Sequence, residues 1–184
     1  GGTWKYLDNG TDQGTVWSAS GFDDSSWASG LAELGYGDGG EATTNRFGPD
    51  PNNKYITTYY RHTFNAAGAS AFTELNFGVV RDDGVVVYLN GSELFRMNMP
   101  TGVVHFATLA LTAVAGADES TFFPMTVSLA PGQLRNGVNL LAAEIHQNAT
   151  NSSDISFNLR MDGVKTPTPC GPLSIARNAN LLTI

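Results

Sequence analysis

The sequence predicts an all-β protein built as a two-layer sandwich. Short apolar runs with alternating faces are separated by turn residues, and no segment keeps a helical period. Glycine is abundant, with 21 residues among 184, whereas charged residues make up 15% against a typical ~25%. Many short strands with two distinct faces favour a sandwich over an open sheet.

The first third of the chain carries its tryptophans and its longest irregular stretch. All three tryptophans lie within the first 27 residues, and we expect them in the core. Residues 22–27 predict a single capped helical turn, because Asp and Ser favour helix starts. Residues 35–53 show no periodicity, and loops of that length tend to be functional or mobile. We expect Tyr36 and Phe47 to be exposed there, where their rings could stack on sugars.

Strong strand patterns begin after this stretch. Asp83-Gly84 and Asn90-Gly91 are dipeptides suited to primed turns, so residues 75–97 predict two hairpins. The predicted strands lie at 55–64, 75–79, 85–89, 94–97, 122–129, 138–147 and 155–161.

The domain organisation follows from length and composition. Residues 1–163 predict one β-sandwich ligand-binding domain, residues 164–172 a Pro-rich linker, and residues 173–184 the start of a following segment or a stray strand. The chain opens with Gly-Gly, so we expect a piece of a longer protein, and its polar, lysine-poor surface fits a secreted one.

Charge and hydropathy limit the partners. The net charge is −7 and the few basic residues form no stripe, so nucleic acid and anionic membranes are poor partners. No apolar run approaches the ~18 residues that suggest a membrane span.

A series of motifs, in this order, carries a family resemblance. They are Trp17, Phe22-Asp23-Asp24-Ser25-x-Trp27, Tyr60-Arg61-x-x-Phe64, Asp83-Gly84-x-x-Val87-Tyr88-x-Asn90-Gly91 and Asn136-Gly137-x-Asn139-x-Leu141-Ala142. The series resembles galactose-binding-like jelly rolls, including the sugar-binding sandwich of β-galactosidases. It is closer to a variant found as an appendage in secreted bacterial multidomain proteins, and it covers roughly residues 4–162. The resemblance implies a jelly-roll fold; domains of this kind bind sugars, lipids, peptides or nothing.

Asp82 and Asp83 are the clearest candidate site. Two adjacent carboxylates on a turn offer the hard oxygens that calcium prefers, and open positions on the ion could take sugar hydroxyls. The pair is similar to the Asp-Asp pair of protective-antigen-type sugar-binding domains, which carries calcium and glycan. Alternatively, Asp83-Gly84 only makes the turn, while Asp82 pairs with Arg81 or a backbone amide.

Other polar groups leave similar alternatives open. Glu144 and His146 lie on one face of a strand, and they form either a reactive pair or an internally hydrogen-bonded one. No nucleophile motif or third metal ligand accompanies them, so we expect no enzyme activity. Asp38 either binds a ligand or lies in a solvated loop, and Glu119 either completes a calcium site or belongs to a turn.

The sequence thus predicts a non-catalytic carbohydrate-binding module of a secreted enzyme, with calcium as its cofactor. Its partners would be a polysaccharide or glycan and a catalytic domain of the same parent chain. The alternative is a structural spacer or adhesion module without a small ligand. The expected ligand-binding residues are Arg81, Asp82, Asp83, His146, Asp154 and Tyr36, of which Asp82 and Asp83 would bind calcium.

Overall fold

The computed structural model describes residues 2–165, in which eleven strands and three short 3-10 helices build a β-sandwich. The strands are β1 (Thr3–Leu7), β2 (Ala28–Leu31), β3 (Leu34–Tyr36), β4 (Thr43–Thr44), β5 (Thr57–Ala66), β6 (Phe72–Asp82), β7 (Gly84–Leu89), β8 (Ser92–Met97), β9 (Phe123–Ser128), β10 (Gly137–His146) and β11 (Ile155–Lys165). The 3-10 helices are Val16–Ser18, Ala69–Ala71 and Gly116–Ser120. The all-β sandwich is therefore confirmed.

The strands form two layers. One sheet has the order β2-β1-β5-β10-β7-β8, and the other has the order β4-β3-β11-β6-β9. Strands β6 and β7 follow each other in the chain but belong to different sheets, as do β10 and β11. The chain therefore crosses between layers at the ends of the sandwich, as in a jelly roll. No helix among residues 2–165 has the length and apolar character that crossing a membrane requires.

The core lies between the two sheets. Ile155, Phe157 and Leu159 of β11 are buried there, while Arg160 is exposed, as the alternating pattern predicts. The Phe157 ring stacks on Tyr60 of the opposite sheet, with ring centroids 4.4 Å apart. Aromatic contacts of this kind add to the apolar area that the two layers bury.

A second apolar layer covers the outer face of the first sheet. Trp17 and Trp27 pack there against Tyr59 and are buried, as expected. Arg61, which is 3% exposed, fixes this covering segment because its Nε donates to Asp24 Oδ2 at 2.7 Å. Buried guanidinium groups need such partners, so the segment is held by charge as well as by packing.

The Asn90-Gly91 turn was predicted correctly. It joins β7 to β8, and Leu89 pairs with Ser92 across it. Asn90 has φ 53° and Gly91 has φ 91°. Positive φ at both central residues is what a type I′ hairpin turn requires, and Asn and Gly tolerate it best.

The hairpin predicted at Asp83-Gly84 is wrong. β6 pairs with β11 and β9, whereas β7 pairs with β10 and β8, so the two strands lie in different sheets. Gly84 belongs to β7 and pairs with His146. The chain passes from one layer to the other at this point, and Asp82 and Asp83 are drawn into the interior.

Two boundaries also differ from the expectations. Residues 22–27 form a non-helical turn instead of the expected helical turn. In this turn Asp23 Oδ1 accepts from the Ser25 backbone N–H at 3.0 Å, and the Trp27 backbone N–H donates to the Asp24 carbonyl at 3.1 Å. Strand β11 runs to Lys165, two residues past the expected end of the sandwich at 163. The rest of the expected linker and the segment 173–184 lie outside the described residues.

Gly84 should be intolerant of a side chain. A Cβ there would lie 2.4 Å from Met99 Sδ and 2.9 Å from Ala110 Cβ. We therefore expect Gly84→Ala to lower the free energy of unfolding by about 1–3 kcal/mol in a urea titration. Gly21→Ala is the matched control, because a Cβ there meets nothing within 4 Å. Equal stability of the two variants would contradict this packing.

Candidate functional site

Acidic side chains converge at the end of the sandwich where β6 ends. Asp82 pairs with Ser156 of β11, and Ser156 Oγ donates to Asp38 Oδ2 at 2.8 Å. Carboxylate oxygens of Asp38, Glu119 and Asp154 all lie within 4.8 Å of one another. Together these groups form what we call the acidic centre, which consists of Asp38, Asp82, Asp83, Glu119 and Asp154.

The carboxyl group of Asp82 is buried without a hydrogen-bond donor. Its side chain is 0% exposed, and neither Oδ1 nor Oδ2 has a partner among the described residues. Burial, and then the neighbouring carboxyl groups of Asp83 and Asp154, raise the pKa of Asp82 to about 10. A buried carboxylate in such surroundings needs either a proton or a cation.

Both carboxylate oxygens of Asp83 accept hydrogen bonds inside the protein. Its Oδ1 accepts from the backbone N–H of Val114, and its Oδ2 accepts from that of Asn148, each at 2.7 Å. Two loops, one between β8 and β9 and one between β10 and β11, are thereby tied to the point where the chain crosses between sheets. This satisfied carboxylate contrasts with that of Asp82 next to it.

Arg81 does not neutralise Asp82. Its Nη1 donates to the backbone carbonyl of Asp83 at 2.5 Å, and its guanidinium lies 4.8 Å from the centre of the Phe123 ring. Burial lowers the pKa of Arg81, against the effect of Asp82 and Asp83. The alternative in which Asp82 pairs with Arg81 or with a backbone amide is therefore not what the structure has.

Gln147 links the acidic centre to Tyr36. Its Nε2 donates to the Tyr36 hydroxyl at 2.7 Å and to the Asp154 carbonyl at 3.0 Å. Its Oε1 is buried and has no donor among residues 2–165. Tyr36 ends strand β3 and is 8% exposed, so the expectation of an exposed ring is wrong. Phe47 is 36% exposed, as expected for its loop.

Among residues 2–165 no carboxylate of the acidic centre forms a direct ion pair, although the charge of Arg81 acts on Asp82 and Asp83 from beyond contact distance. Burial and the carboxylates of Asp38 and Asp154 raise the pKa of Glu119. Carboxylate and amide oxygens of this kind can hold a hard cation, which takes six to eight of them when it is calcium.

Glu144 and His146 lie side by side inside the protein, where His146 Nε2 has no hydrogen-bond partner among the described residues. The Tyr88 hydroxyl donates to Glu144 Oε1 at 2.6 Å, and Glu144 Oε2 lies 3.3 Å from His146 Nε2. His146 Nδ1 lies 2.7 Å from the Thr108 carbonyl, which can only accept, so Nδ1 carries a hydrogen. Glu144 is 5% exposed and His146 is 0% exposed, so neither offers a surface to a ligand.

The structure brings some of the expected site residues together. Asp82, Asp83 and Asp154 meet at the acidic centre, with Tyr36 one hydrogen-bonded residue away. Direct sugar contact is not open to Asp82, Asp83 or His146, because all three are completely buried. Gln147 was not among the expected ligand-binding residues, and Asp38 and Glu119 were left as open alternatives.

No family model and no curated protein matches this chain, but solved structures do. β-Glucuronidase 2 of Bacteroides uniformis, covalently bound to cyclophellitol-6-carboxylate aziridine, matches 89% of this chain with a TM-score of 0.56 and 16% identity. A β-glucuronidase of Bacteroides uniformis matches 84% with a TM-score of 0.50 and 14% identity. A β-glucuronidase from glycoside hydrolase family 2 matches 78% with a TM-score of 0.47 and 17% identity.

This chain spans only part of those neighbours. It covers 17% of the first, 17% of the second and 13% of the third. At such identities the likeness to the first two establishes the sandwich fold, which agrees with the jelly roll that the motifs implied.

Asp82→Asn should stabilise the protein in chelator. The raised pKa means that the folded state binds this proton more tightly than the unfolded state, so wild-type stability falls as pH rises from about 4 towards 10. An Asn side chain does not titrate, and its Nδ2 can donate to the neighbouring carboxylates. We expect the variant to gain about 1–3 kcal/mol over wild type at pH 8.5 and less at pH 5.5, measured by urea unfolding.

Asp162→Asn is the control for this comparison. Asp162 is an exposed residue on the same sheet as Asp82, and its replacement should leave the stability unchanged at both pH values. A gain for Asp82→Asn that is the same at both pH values would argue against an unpaired carboxyl at this position.

Proposed function

We propose that this chain is a non-catalytic carbohydrate-binding module of a secreted multidomain enzyme, and that calcium orders its ligand-binding end. The observation that carries the proposal is the Asp82 carboxyl group, which is buried with both oxygens lacking a donor. A protein that folds around such a group gains from a cation that neutralises it. The ion would sit beneath the loops that form this end of the sandwich.

The set of donor atoms favours calcium over other metals. It consists of carboxylates and one amide oxygen: Asp82 and Gln147 are buried, Glu119 and Asp154 are partly buried, and Asp38 is exposed. Zinc prefers nitrogen and sulfur ligands, and magnesium keeps several of its waters. Calcium accepts more oxygens in a less regular arrangement, which suits ligands that come from separate loops.

Several observations support glycan binding without catalysis. The fold corresponds to a small part of β-glucuronidase 2 of Bacteroides uniformis, so a separate catalytic domain in the same parent chain is the expected partner. Glu144 and His146, the pair considered for acid–base chemistry, are enclosed and held by Tyr88 and Thr108. A general acid or base must reach its substrate, and these two groups do not reach the surface.

A spacer without a ligand is the second candidate. It is favoured by Asp83, whose two carboxylate oxygens each accept a hydrogen bond inside the protein, and by Glu144, whose Oε1 accepts from Tyr88. Glycan binding separates the two candidates, because an ion at Asp82 would stabilise a spacer as well as a binding module.

Calcium should raise the melting temperature and should be required for glycan binding. Binding at a hundred times the Kd adds about 2.7 kcal/mol. For a domain of this size that corresponds to roughly 5–10 °C. We expect this shift in scanning calorimetry with calcium against chelator, its loss in Asp82→Asn and Asp154→Asn, and its retention in Asp162→Asn. Binding to a polysaccharide panel should weaken in chelator.

The outcomes separate the parts of this proposal. If glycan binding is equal in calcium and in chelator, the binding-module part of the proposal stands and the requirement for calcium is wrong. A calcium shift without binding to any polysaccharide would favour the spacer. A melting temperature that is indifferent to calcium, magnesium and chelator would overturn the metal site.

A further inference from the structure

We infer that a cleft beside the acidic centre, lined by residues 8–9, residues 45–49 and Tyr55, is the subsite for a neutral pyranose unit of a glycan. This assignment rests on the proposed function and adds the location of the binding site and the class of sugar. The cleft has a volume of about 540 Å³, which lies within the usual ~300–1,000 Å³ of small-molecule sites. It combines aromatic rings with both hydrogen-bond donors and acceptors.

Asn45 supplies an unpaired donor at the cleft. The side chain is 3% exposed, and its Oδ1 accepts from the Tyr60 hydroxyl at 2.7 Å. Its Nδ2 is buried and has no acceptor in the described structure. An unsatisfied buried N–H is costly, and this amide borders the cleft without an acceptor of its own among the described residues.

Asp8 supplies an acceptor on the same wall. Its Oδ2 accepts from the backbone N–H of Arg46 at 2.7 Å, which fixes the carboxylate. No described group donates to its Oδ1, and this oxygen is not among the fully buried unpaired atoms. The Arg46 side chain is exposed and adds further donors at the rim. One fixed acceptor beside several donors suits adjacent hydroxyl groups of a sugar.

Two glycines leave room for the Tyr55 ring at the wall of the cleft. A Cβ on Gly10 would lie 2.3 Å from the Tyr55 ring, and one on Gly48 would lie 3.0 Å from it. Both glycines have positive φ, at 74° and 104°. The Tyr55 backbone N–H donates to the Phe47 carbonyl at 3.0 Å, so the two aromatic residues are held side by side. Rigid aromatic faces give contact area at low entropic cost.

The charge of the region favours a neutral sugar. Asp8 and Arg46 offset each other in the cleft, and Lys54 beside Phe47 and Arg81 beside Asp82 and Asp83 stand against the five carboxyl groups of the neighbouring acidic centre. A uronate would approach that negative field at a cost, whereas the hydroxyl groups of a neutral pyranose would not. We therefore assign neutral polysaccharides as the ligand class.

A short series of contacts connects the cleft to the acidic centre. The rings of Phe47 and Tyr36 are 5.3 Å apart, and Lys54 Nζ lies 5.6 Å from the Phe47 ring and 6.0 Å from the Tyr36 ring. The Tyr36 hydroxyl accepts from Gln147, which also donates to the Asp154 carbonyl. Ordering of Asp154 by an ion would therefore steady one wall of the cleft.

The test measures glycan binding by cleft variants of the whole 184-residue chain. Neutral polysaccharides (galactan, xylan, glucomannan and cellulose) and polyuronates (pectate and alginate) are compared in calcium by affinity electrophoresis, and the best ligand is titrated. Asp8→Asn keeps an oxygen for the Arg46 N–H but loses the negative acceptor, and Phe47→Ala removes one ring. We expect each to weaken binding about tenfold or more. Leu111→Ala, at an apolar residue that is 62% exposed and outside the cleft, should bind as wild type does.

Each result has a distinct meaning. If the wild type binds a neutral glycan and both cleft variants melt as wild type but bind equally well, the cleft assignment is wrong while the proposed function stands. If the wild type binds only polyuronates, the neutral class is wrong. If it binds nothing on the panel, the proposed function itself fails and the cleft assignment fails with it.

Discussion

Two hydrogen bonds from backbone N–H groups to the Asp83 carboxylate hold the acidic end of the sandwich together. The chain leaves one sheet at Asp82 and enters the other at Gly84, and the intervening carboxylate reaches the loop before β9 and the loop before β11. Charge-assisted hydrogen bonds of this kind are among the stronger ones in proteins. Once Asp83 takes this position, its neighbour Asp82 has no route to solvent. The acidic centre is thus a result of how the layers are connected.

Two acids of similar burial have opposite surroundings. Glu144 has a hydroxyl and an imidazole within reach, whereas Asp82 lies beside further carboxyl groups and has no hydrogen-bond donor among the described residues. Removing the charge of Glu144 would leave its partners without an acceptor. A positive charge beside Asp82 would instead reduce the repulsion between Asp82 and the neighbouring carboxyl groups. This contrast favours Asp82 as a ligand of the proposed ion, whereas Glu144 belongs to the scaffold.

The sequence predicted the layers and their faces but not the connections between them. Asn90-Gly91 and Asp83-Gly84 look alike as local turn signals, yet only the first joins two strands of one sheet. The difference depends on which distant strand each segment pairs with, and local turn chemistry carries no such information. The same limit explains Tyr36, whose glycine-rich neighbourhood suggested exposure although β11 covers it. Of the acidic centre, the adjacent pair was visible in the sequence, while its assembly from three loops was not.

The direction of strand β11 has a practical consequence for handling this domain. The strand pairs Ser156 with Asp82 at the acidic end and Lys165 with Phe72 at the other. Its ten residue steps, at ~3.3 Å each, separate the two ends by roughly 33 Å. A surface or fluorophore coupled through the Lys165 side chain would therefore be joined at the end of the sandwich opposite the acidic centre. Immobilised in that orientation, the protein would keep its loops towards the solution.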